Sequence, residues 1–419
     1  MRFLRWLRRE VIRRRLPHGL VHWRYLLPEP AAALARQRSL WLHSLPRLAR
    51  PLWCALELWL WLKWQLWHGP LSVWRAVRRL GPRVRDEEGI SLPAQGLAVG
   101  RLALGYCIPP SEIYRHRLYR REQRHRATTL VYDHTLGGFH QSRNDPGPAT
   151  RESLLLLSDK HRQATELAAL GVPVAPTLAL VPKRSCAPLN AYLRDREQSF
   201  CKPRHGSAGR GTLIARTSPN GTLTVEPTLG PTLTGQAVEA YWTELLERDD
   251  MLVQPRLTVD PAFAELATTD DIITVRYISQ RVPTNRDVEA QVDCYCATLE
   301  LPCGKDHASG RPRYVLLEID ARSGDVNGFP ETYLFADAAA SHRRVAAQAA
   351  GTTIPNWPQI RHHSHTAHQH CQGIHAIAWD WALTADGPVL LEGNAGWGAS
   401  TAQQLNGGLM TTPPPASSA

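Results

Sequence analysis

An α+β or mixed α/β fold is predicted for residues 156–400, preceded by a helical, basic, tryptophan-rich region over residues 1–90. Three observations predict it. Short runs rich in β-branched and aromatic residues recur from residue 200 onward: FCKPR, GTLIAR, MLVQPRL, IITVRYIS, QVDCYCATL, YVLLEID, GIHAIAWDWALT and PVLLEGN. Helical patches such as TGQAVEAYWTELLERD fall between them. The basic residues gather at the start of the chain, where residues 1–90 carry 18 arginines and lysines against 6 acids, an excess of +12 that leaves the remainder at −1.

Composition excludes some classes. At 419 residues, 43% hydrophobic and 21% charged, the chain is an ordinary folded protein of two or three domains and not a disordered one. Nine of its fourteen tryptophans lie within residues 1–90. Arginine mixed with tryptophan suits a membrane interface, where amphipathic rings sit among headgroups and cations meet anionic lipid. A helical face that docks on another protein is the second reading, and nucleic acid is disfavoured because no nucleic-acid motif accompanies the basic stretch. The run PLWCALELWLWLKWQLW (51–67) is at the short end of the spanning range, about 17 to 25 residues. Glu57, Lys63 and Gln65 interrupt it and fall on different sides of an ideal helix, leaving no clean polar face. The expectation is a shallowly embedded or docked helix. The opening MRFLRWLRREVIRRR precedes LPHGLVHWRY, which lacks the apolar run of a secretory signal. Eight cysteines without a CxxC fit reduced thiols in a cytosolic protein. CYC (294–296) puts two thiols on one face of a strand, with Cys303 and His307 downstream, but this matches no standard zinc spacing and reads as buried small residues.

Residues 91–155 read as a connecting helical segment broken at IPP. SDKHRQATELAALG then reads as a helix capped by Ser158 or Asp159 and stopped by Gly171, followed by a strand in VPVAPTLALV. The tail, residues 401–419 ending TTPPPASSA, reads as disordered.

Two stretches carry the chemistry. In FCKPRHGSAGRGTLIAR (200–216) a strand delivers Lys202 and three glycines follow within six residues, so backbone N–H groups can approach a polyphosphate unobstructed. No Walker or dinucleotide pattern is present, and a plain hairpin is the competing reading. Lysine usage adds weight. Only five of the 49 basic residues are lysine, and two of them, Lys160 after the helix cap and Lys202 before the glycines, stand where a compact charge would neutralise phosphate.

The other stretch is IAWDWALTADGPVLLEGN (377–394). Strand side chains alternate faces, so Glu392 and Asn394 share one. A three-residue loop Ala385-Asp386-Gly387 pairs Thr384 with Pro388 and Asp380 with Glu392, whereas a two-residue loop Asp386-Gly387 places Asp380 opposite Gly393. In the first register Asp380, Glu392 and Asn394 share a face, and two opposed carboxylates need a cation between them. An all-oxygen set suits Mg2+; the alternative is pairing with an arginine such as Arg276.

In this order the motifs resemble the ATP-grasp superfamily, and are most similar to its sugar-transfer-associated group. SDKHRQ, CKPRHGSAGRG, MLVQPRL, IPNWPQIRHHSHTAH and WDWALTADGPVLLEGN carry the resemblance over about residues 156–400. Ala378 stands where the group usually has glycine, and EGNAGW departs from its usual continuation. The resemblance implies two α+β subdomains, 156–248 with a glycine lid and 249–400 with the metal site, gripping ATP. It implies phosphate contacts from Lys160 and Lys202 and a lid of Gly206, Ser207, Gly209 and Gly211. Adenine would meet the backbone around Val253 and Gln254, and Mg2+ would sit on Asp380, Glu392 and Asn394. Arg276 would face the γ-phosphate, with Lys202 also counted as catalytic. The implied reaction is carboxylate–amine ligation through an acyl phosphate, in surface polysaccharide or glycoconjugate synthesis. The implied partners are a carboxylate, an amine or sugar, and polysaccharide enzymes, with residues 1–90 holding a cytoplasmic protein at the inner membrane. A small-molecule kinase and a non-catalytic partner of glycosyltransferases are the alternatives. RHHSHTAHQHCQGIH (361–375), with six histidines, reads as a helix with solvated imidazoles, or with His368 in acceptor binding or proton transfer.

Overall fold

The computed structural model describes residues 5–6, 8–26, 31–46, 49–193, 196–207, 209–266, 269, 271–282, 291–305, 312–328 and 340–411. They form two compact units, one drawn from Met1–Arg143 and Gly398–Ala419, the other from Asn144–Phe329 and Ala338–Trp397.

The regular elements among the described residues of the first unit are helices. Its helices include α1 (Ala32–Ser44), α2 (Arg50–Lys63), α3 (Gly69–Glu88), α4 (Leu92–Tyr106), α5 (Pro110–Arg115) and α6 (Asp133–Arg143). A turn of π-helix, Trp64–His68, joins α2 to α3. Pro70 follows it and has no N–H to give to the preceding turn. A side chain on Gly69 would meet the Trp64 carbonyl at 2.7 Å and Leu104 at 2.8 Å, so glycine lets this turn lie against α4. No helix among the described residues is long and apolar enough to cross a membrane.

Two expectations are corrected here. Residues 91–143 are not a connector: Val99, Leu102, Ile113, Tyr114 and Leu118 share one core with Leu20, Trp64 and Val84. The apolar stripe of α4 needs a partner to leave water, and residues 1–90 supply it. The tail is also not disordered throughout, since Ala399–Asn406 is a helix. Its buried Gln403 donates from Nε2 to the Val131 carbonyl (2.8 Å) and accepts the Val131 N–H at Oε1 (2.7 Å). Residues 412–419 lie outside the described residues.

Glu112 on α5 accepts the Asp133 N–H at both carboxyl oxygens, each at 3.2 Å. Burial pushes its pKa up to about 8, with Asp133 adding to the effect and Arg115 opposing it. Because the folded-state value lies above the unfolded one, the stabilising effect is full below the usual glutamate range and is lost as pH rises toward 8. Glu112→Gln is therefore expected to flatten the fall in melting temperature between about pH 5 and 8. An unchanged slope in thermal melts across that range would contradict it.

The second unit holds two antiparallel six-stranded sheets. The first comprises β1 (Ala179–Val181), β2 (Gln198–Pro203), β3 (Leu213–Thr217), β4 (Leu223–Pro227), β5 (Leu233–Thr234) and β6 (Met251–Pro255), in the order β1-β6-β2-β3-β4-β5. The second comprises β7 (Thr274–Val282), β8 (Gln291–Lys305), β9 (Pro312–Ile319), β10 (Val326–Gly328), β11 (Ala376–Thr384) and β12 (Gly387–Asn394), in the order β10-β9-β8-β7-β11-β12. Strands stand where the eight quoted runs predicted them. VPVAPTLALV yields only the short β1, because Pro173 and Pro176 cannot donate to a ladder. Helix α7 (Pro148–Ser158) leads into α8 (Lys160–Ala169), α9 (Gln236–Arg248) packs Trp242 and Leu246 under the first sheet, and α10 (Trp357–His370) packs on the second with Tyr277, Trp379 and Trp381.

Candidate active site

Asp380 lies opposite Glu392, as the three-residue loop predicts, but by another route. The turn is Ala385-Asp386, with Thr384 opposite Gly387, Leu383 opposite Pro388 and Trp381 opposite Leu390. A bulge at Leu391 then shifts the register by one and restores the Asp380–Glu392 pair. Gly393 follows, and a side chain there would come within 2.3 Å of the Trp379 ring. The Gly393 N–H donates to Gln163 Oε1 at 2.9 Å, which ties α8 to this strand.

Asn394 gathers the two carboxylates: its Nδ2 donates to Glu392 Oε1 at 3.2 Å and Asp380 Oδ2 at 3.4 Å. Arg276, opposite Asp380 on β7, grips it with Nε at 2.8 Å and Nη2 at 3.2 Å. Its Nη1 stands 3.3 Å from Glu300 Oε1 on β8. Arginine pairing is thus present in this structure alongside the converging carboxylates. Burial raises the pKa of Asp380 and of Glu300 while Arg276 pulls both down, and Glu392 adds to the rise at Asp380. Arg276 itself is raised, first by Glu300. Sequence reasoning missed Glu300; the one signal was an acid inside the apolar run CATLELP.

Both lysines reach this cluster. Lys202, 7% exposed, donates from Nζ to the Leu391 carbonyl at 3.1 Å. The bulge supplies that acceptor. Burial lowers the Lys202 pKa to about 8, against an upward pull from Glu392. Lys160 donates from Nζ to the Gly206 carbonyl at 2.5 Å and lies 3.6 Å from Glu392 Oε2. Asp159 caps α8 by accepting the His161 and Arg162 N–H groups. It also receives Arg204 Nε at 2.9 Å and Nη2 at 2.6 Å, while Arg204 Nη1 reaches Asp250 at 3.0 Å. This arginine, also missed, pins the Lys160 helix to the start of the glycine loop.

Within the loop Gly206, Gly209 and Gly211 have φ of 110°, 66° and 77°. Gly211 shows the need best, since a side chain would meet Pro203 at 2.9 Å as well as a left-handed backbone. Ser207 accepts the Arg210 N–H at its carbonyl, 3.5 Å away. Val253 and Gln254 sit in β6 between β1 and β2. The Val253 carbonyl accepts the Leu178 N–H at 2.8 Å, and Gln254 Nε2 donates to Ala175 at 3.1 Å. Both are committed to the sheet, and the chain leaves it only past Pro255.

No group of three or more histidine, cysteine or acidic side chains poised for a metal exists among the described residues. The set at hand is two carboxylates and one amide, whose oxygens are of the kind a hard divalent cation takes once Asn394, here turned with Nδ2 toward both acids, presents Oδ1, with like-charged Glu300 and Glu392 around Asp380. This donor chemistry fits Mg2+.

The sugar-transfer associated ATP-grasp family matches residues 147–412. The chain belongs to this family. Solved structures similar to it include N5-carboxyaminoimidazole synthetase from Staphylococcus aureus complexed with ADP, at 12% identity and TM-score 0.35, covering 58% of this chain and 46% of that one. D-alanine-D-alanine ligase from Coxiella burnetii is similar at 12% identity and TM-score 0.30, covering 58% and 48%. The chain thus spans about half the length of each. No curated protein matches the sequence.

In this ATP-grasp chain the histidine-rich stretch is helix α10, but its imidazoles are not all solvated. His368 is fully buried, its Nδ1 2.7 Å from Ser279 Oγ and its Nε2 2.9 Å from the Ile374 carbonyl. Burial lowers its pKa to about 3. It ties α10 to β7 from within the core and does not line the carboxylate cluster. His365 bonds the Tyr277 hydroxyl at 2.8 Å. His368→Ala is expected to cost about 2–4 kcal/mol in urea unfolding, through a cavity and the Ile374 carbonyl losing this bond, while Ser279 Oγ keeps Trp379 Nε1 and the Ile377 carbonyl. A loss under about 1 kcal/mol would contradict it. Cys294 and Cys296 are free thiols, and His307 lies outside the described residues.

Proposed function

We propose that the protein is a Mg-ATP-dependent ligase that joins a carboxylate to an amine through an acyl phosphate. The observation that carries this reading is the meeting of three cations, Lys160, Lys202 and Arg276, with Asp380, Glu392 and Asn394 around one bulged hairpin. Phosphoryl transfer needs mainly positioning and charge neutralisation, and these residues supply both. Lys160 and Lys202 would neutralise the nucleotide phosphates, while Arg276 would meet charge spread over the transferring group, which its planar fork fits. Asp380, Glu392 and Asn394 would hold Mg2+, which when bound supplies positive charge to the phosphate oxygens.

The substrate carboxylate oxygen forms a bond to the γ-phosphorus and ADP leaves. The amine nitrogen then attacks the acyl carbon, phosphate leaves, and the nitrogen gives up its proton. The loop of Gly206, Ser207, Gly209 and Gly211 would cover the phosphates and keep water from the acyl phosphate. Adenine would meet backbone beyond Gln254, where the chain leaves the sheet. The family's sugar-transfer association supports a place in surface polysaccharide or glycoconjugate synthesis. Residues 1–90 would hold the protein at the cytoplasmic face of the inner membrane.

Mg-ATP at about a hundred times its dissociation constant is expected to stabilise the wild type by about 2.7 kcal/mol, read as a thermal shift that Glu392→Ala removes. ADP release would then depend on both a carboxylate and an amine. Release with a carboxylate alone and a stable phosphorylated product would favour a kinase. No shift in a folded wild type would reject the nucleotide site.

A further inference from the structure

The helix that carries the apolar run buries Leu56 and Leu60 together with Glu57 and exposes most of its other apolar residues. Its polar residues each find a partner within the first unit. Glu57, 5% exposed, accepts from Trp41 Nε1 at 2.7 Å and meets His18 Nδ1 at 2.5 Å. Lys63 Nζ donates to the carbonyls of Val11, Ile12 and Arg14 at 3.2, 2.7 and 2.9 Å. Gln65 Nε2 donates to Leu104 at 2.7 Å. Turned outward instead are Leu52, Leu58, Trp59, Leu62, Leu66 and Trp67, the last two 76% and 69% exposed. No charged side chain is exposed between Arg50 and Arg75. Exposed arginines bracket the stripe, Arg50 at one end and Arg75, Arg78 and Arg79 at the other. Trp74, half exposed, lies under Arg78 at 4.8 Å.

We infer that this stripe is a membrane-contact face that lies flat on an anionic lipid bilayer. It runs along one side of the helix for about 24 Å, so contact requires the helix axis to lie parallel to the surface. Leucines enter the acyl boundary, tryptophans sit at headgroup depth, and the bracketing arginines meet lipid phosphates. A second copy fits the stripe poorly. Both ends are basic, so parallel and antiparallel pairing each bring like charges together, and the stripe exposes no acid to relieve them. The inference deepens the membrane location proposed above and does not rest on the ligase chemistry.

Flotation of the full chain with phosphatidylcholine vesicles, with and without phosphatidylglycerol, tests it. The expected result is binding to the anionic vesicles that weakens with salt. Leu58→Ser/Leu62→Ser/Leu66→Ser should lower it at least about tenfold, because each leucine loses its apolar transfer. Arg75→Gln/Arg78→Gln/Arg79→Gln should lower it and blunt its salt dependence. All these positions are on the surface, and unchanged circular dichroism with an unchanged Mg-ATP thermal shift certifies the fold. If the shift is absent from wild type while flotation holds, the ligase reading falls and the lipid face stands. Equal flotation of the leucine variant overturns the inference. So does a wild type that ignores vesicles but is a dimer which the leucine variant breaks, an outcome that assigns the stripe to a second copy.

Discussion

Arg276→Ala is expected to lower the stability of the second unit by about 2–4 kcal/mol. Breaking a fully buried ion pair costs about 3–5 kcal/mol because the remaining charge is left uncompensated, and 37% exposure of the Arg276 side chain reduces that figure. Two acids lose their cation at once: Asp380, held by two hydrogen bonds, and Glu300, with side chains only 13% and 12% exposed. Burial already favours their neutral forms, so the variant should also take up protons at a higher pH than wild type. Urea denaturation at neutral pH measures the loss. Adding Glu300→Gln to Arg276→Ala should recover part of it, because one uncompensated charge is removed. If the double variant is no more stable than the single one, Glu300 is not the charge that Arg276 neutralises.

Lys202→Ala is expected to behave in the opposite way, with a fold within about 1 kcal/mol of wild type and ATP turnover lowered about 10²–10³-fold. The buried ammonium makes one bond, to the Leu391 carbonyl, and its depressed pKa of about 8 shows that burial disfavours the charge. Removing it relieves that cost, so in the proposed phosphate-binding role the lysine contributes only when phosphate is present. The pH dependence has a definite sign. Below pH 8 the ammonium is already formed; above it the group is neutral until a phosphate raises its pKa. Mg-ATP binding should therefore take up close to one proton at about pH 9 and almost none at about pH 7. Calorimetry in two buffers of different ionisation enthalpy reads this uptake. Equal uptake by wild type and Lys202→Ala at the higher pH would place the phosphate elsewhere.

Much of the site was legible because its signals are local. Lys160 follows a cap that the SDK spacing places at Ser158 or Asp159, and the structure selects Asp159. Glu392 and Asn394 share a face because strands alternate. The pairing of Asp380 with Glu392 was anticipated from a three-residue loop, yet a shorter turn and a compensating bulge produce it. That bulge was invisible in the sequence, where Leu391 is one more apolar residue in an apolar strand. It leaves the carbonyl that Lys202 uses and lets the Trp379 ring lie over Gly393. Glu300 and Arg204 were missed because their partners, Arg276 and Asp159, are distant along the chain.

The sequence by itself determined nine of the twelve strands, though not β4, β5 or β10, a helix start at Ser158 or Asp159 before Lys160, the family, and the concentration of arginine and tryptophan near the start. The strands, the helix start and the clustering follow from periods of two and 3.6 residues, capping chemistry and composition, whereas the family rests on the resemblance of its ordered motifs. Only the tertiary structure decided that Arg276 serves both Asp380 and Glu300, that residues 91–143 complete a core with residues 1–90, and that Ala399–Asn406 folds as a helix. It also decided which way the helix over Arg50–Lys63 turns. A hydrophobic run cannot state its own orientation, because burying Glu57 is tolerable only where His18 and Trp41 meet it, and those residues come from elsewhere in the chain.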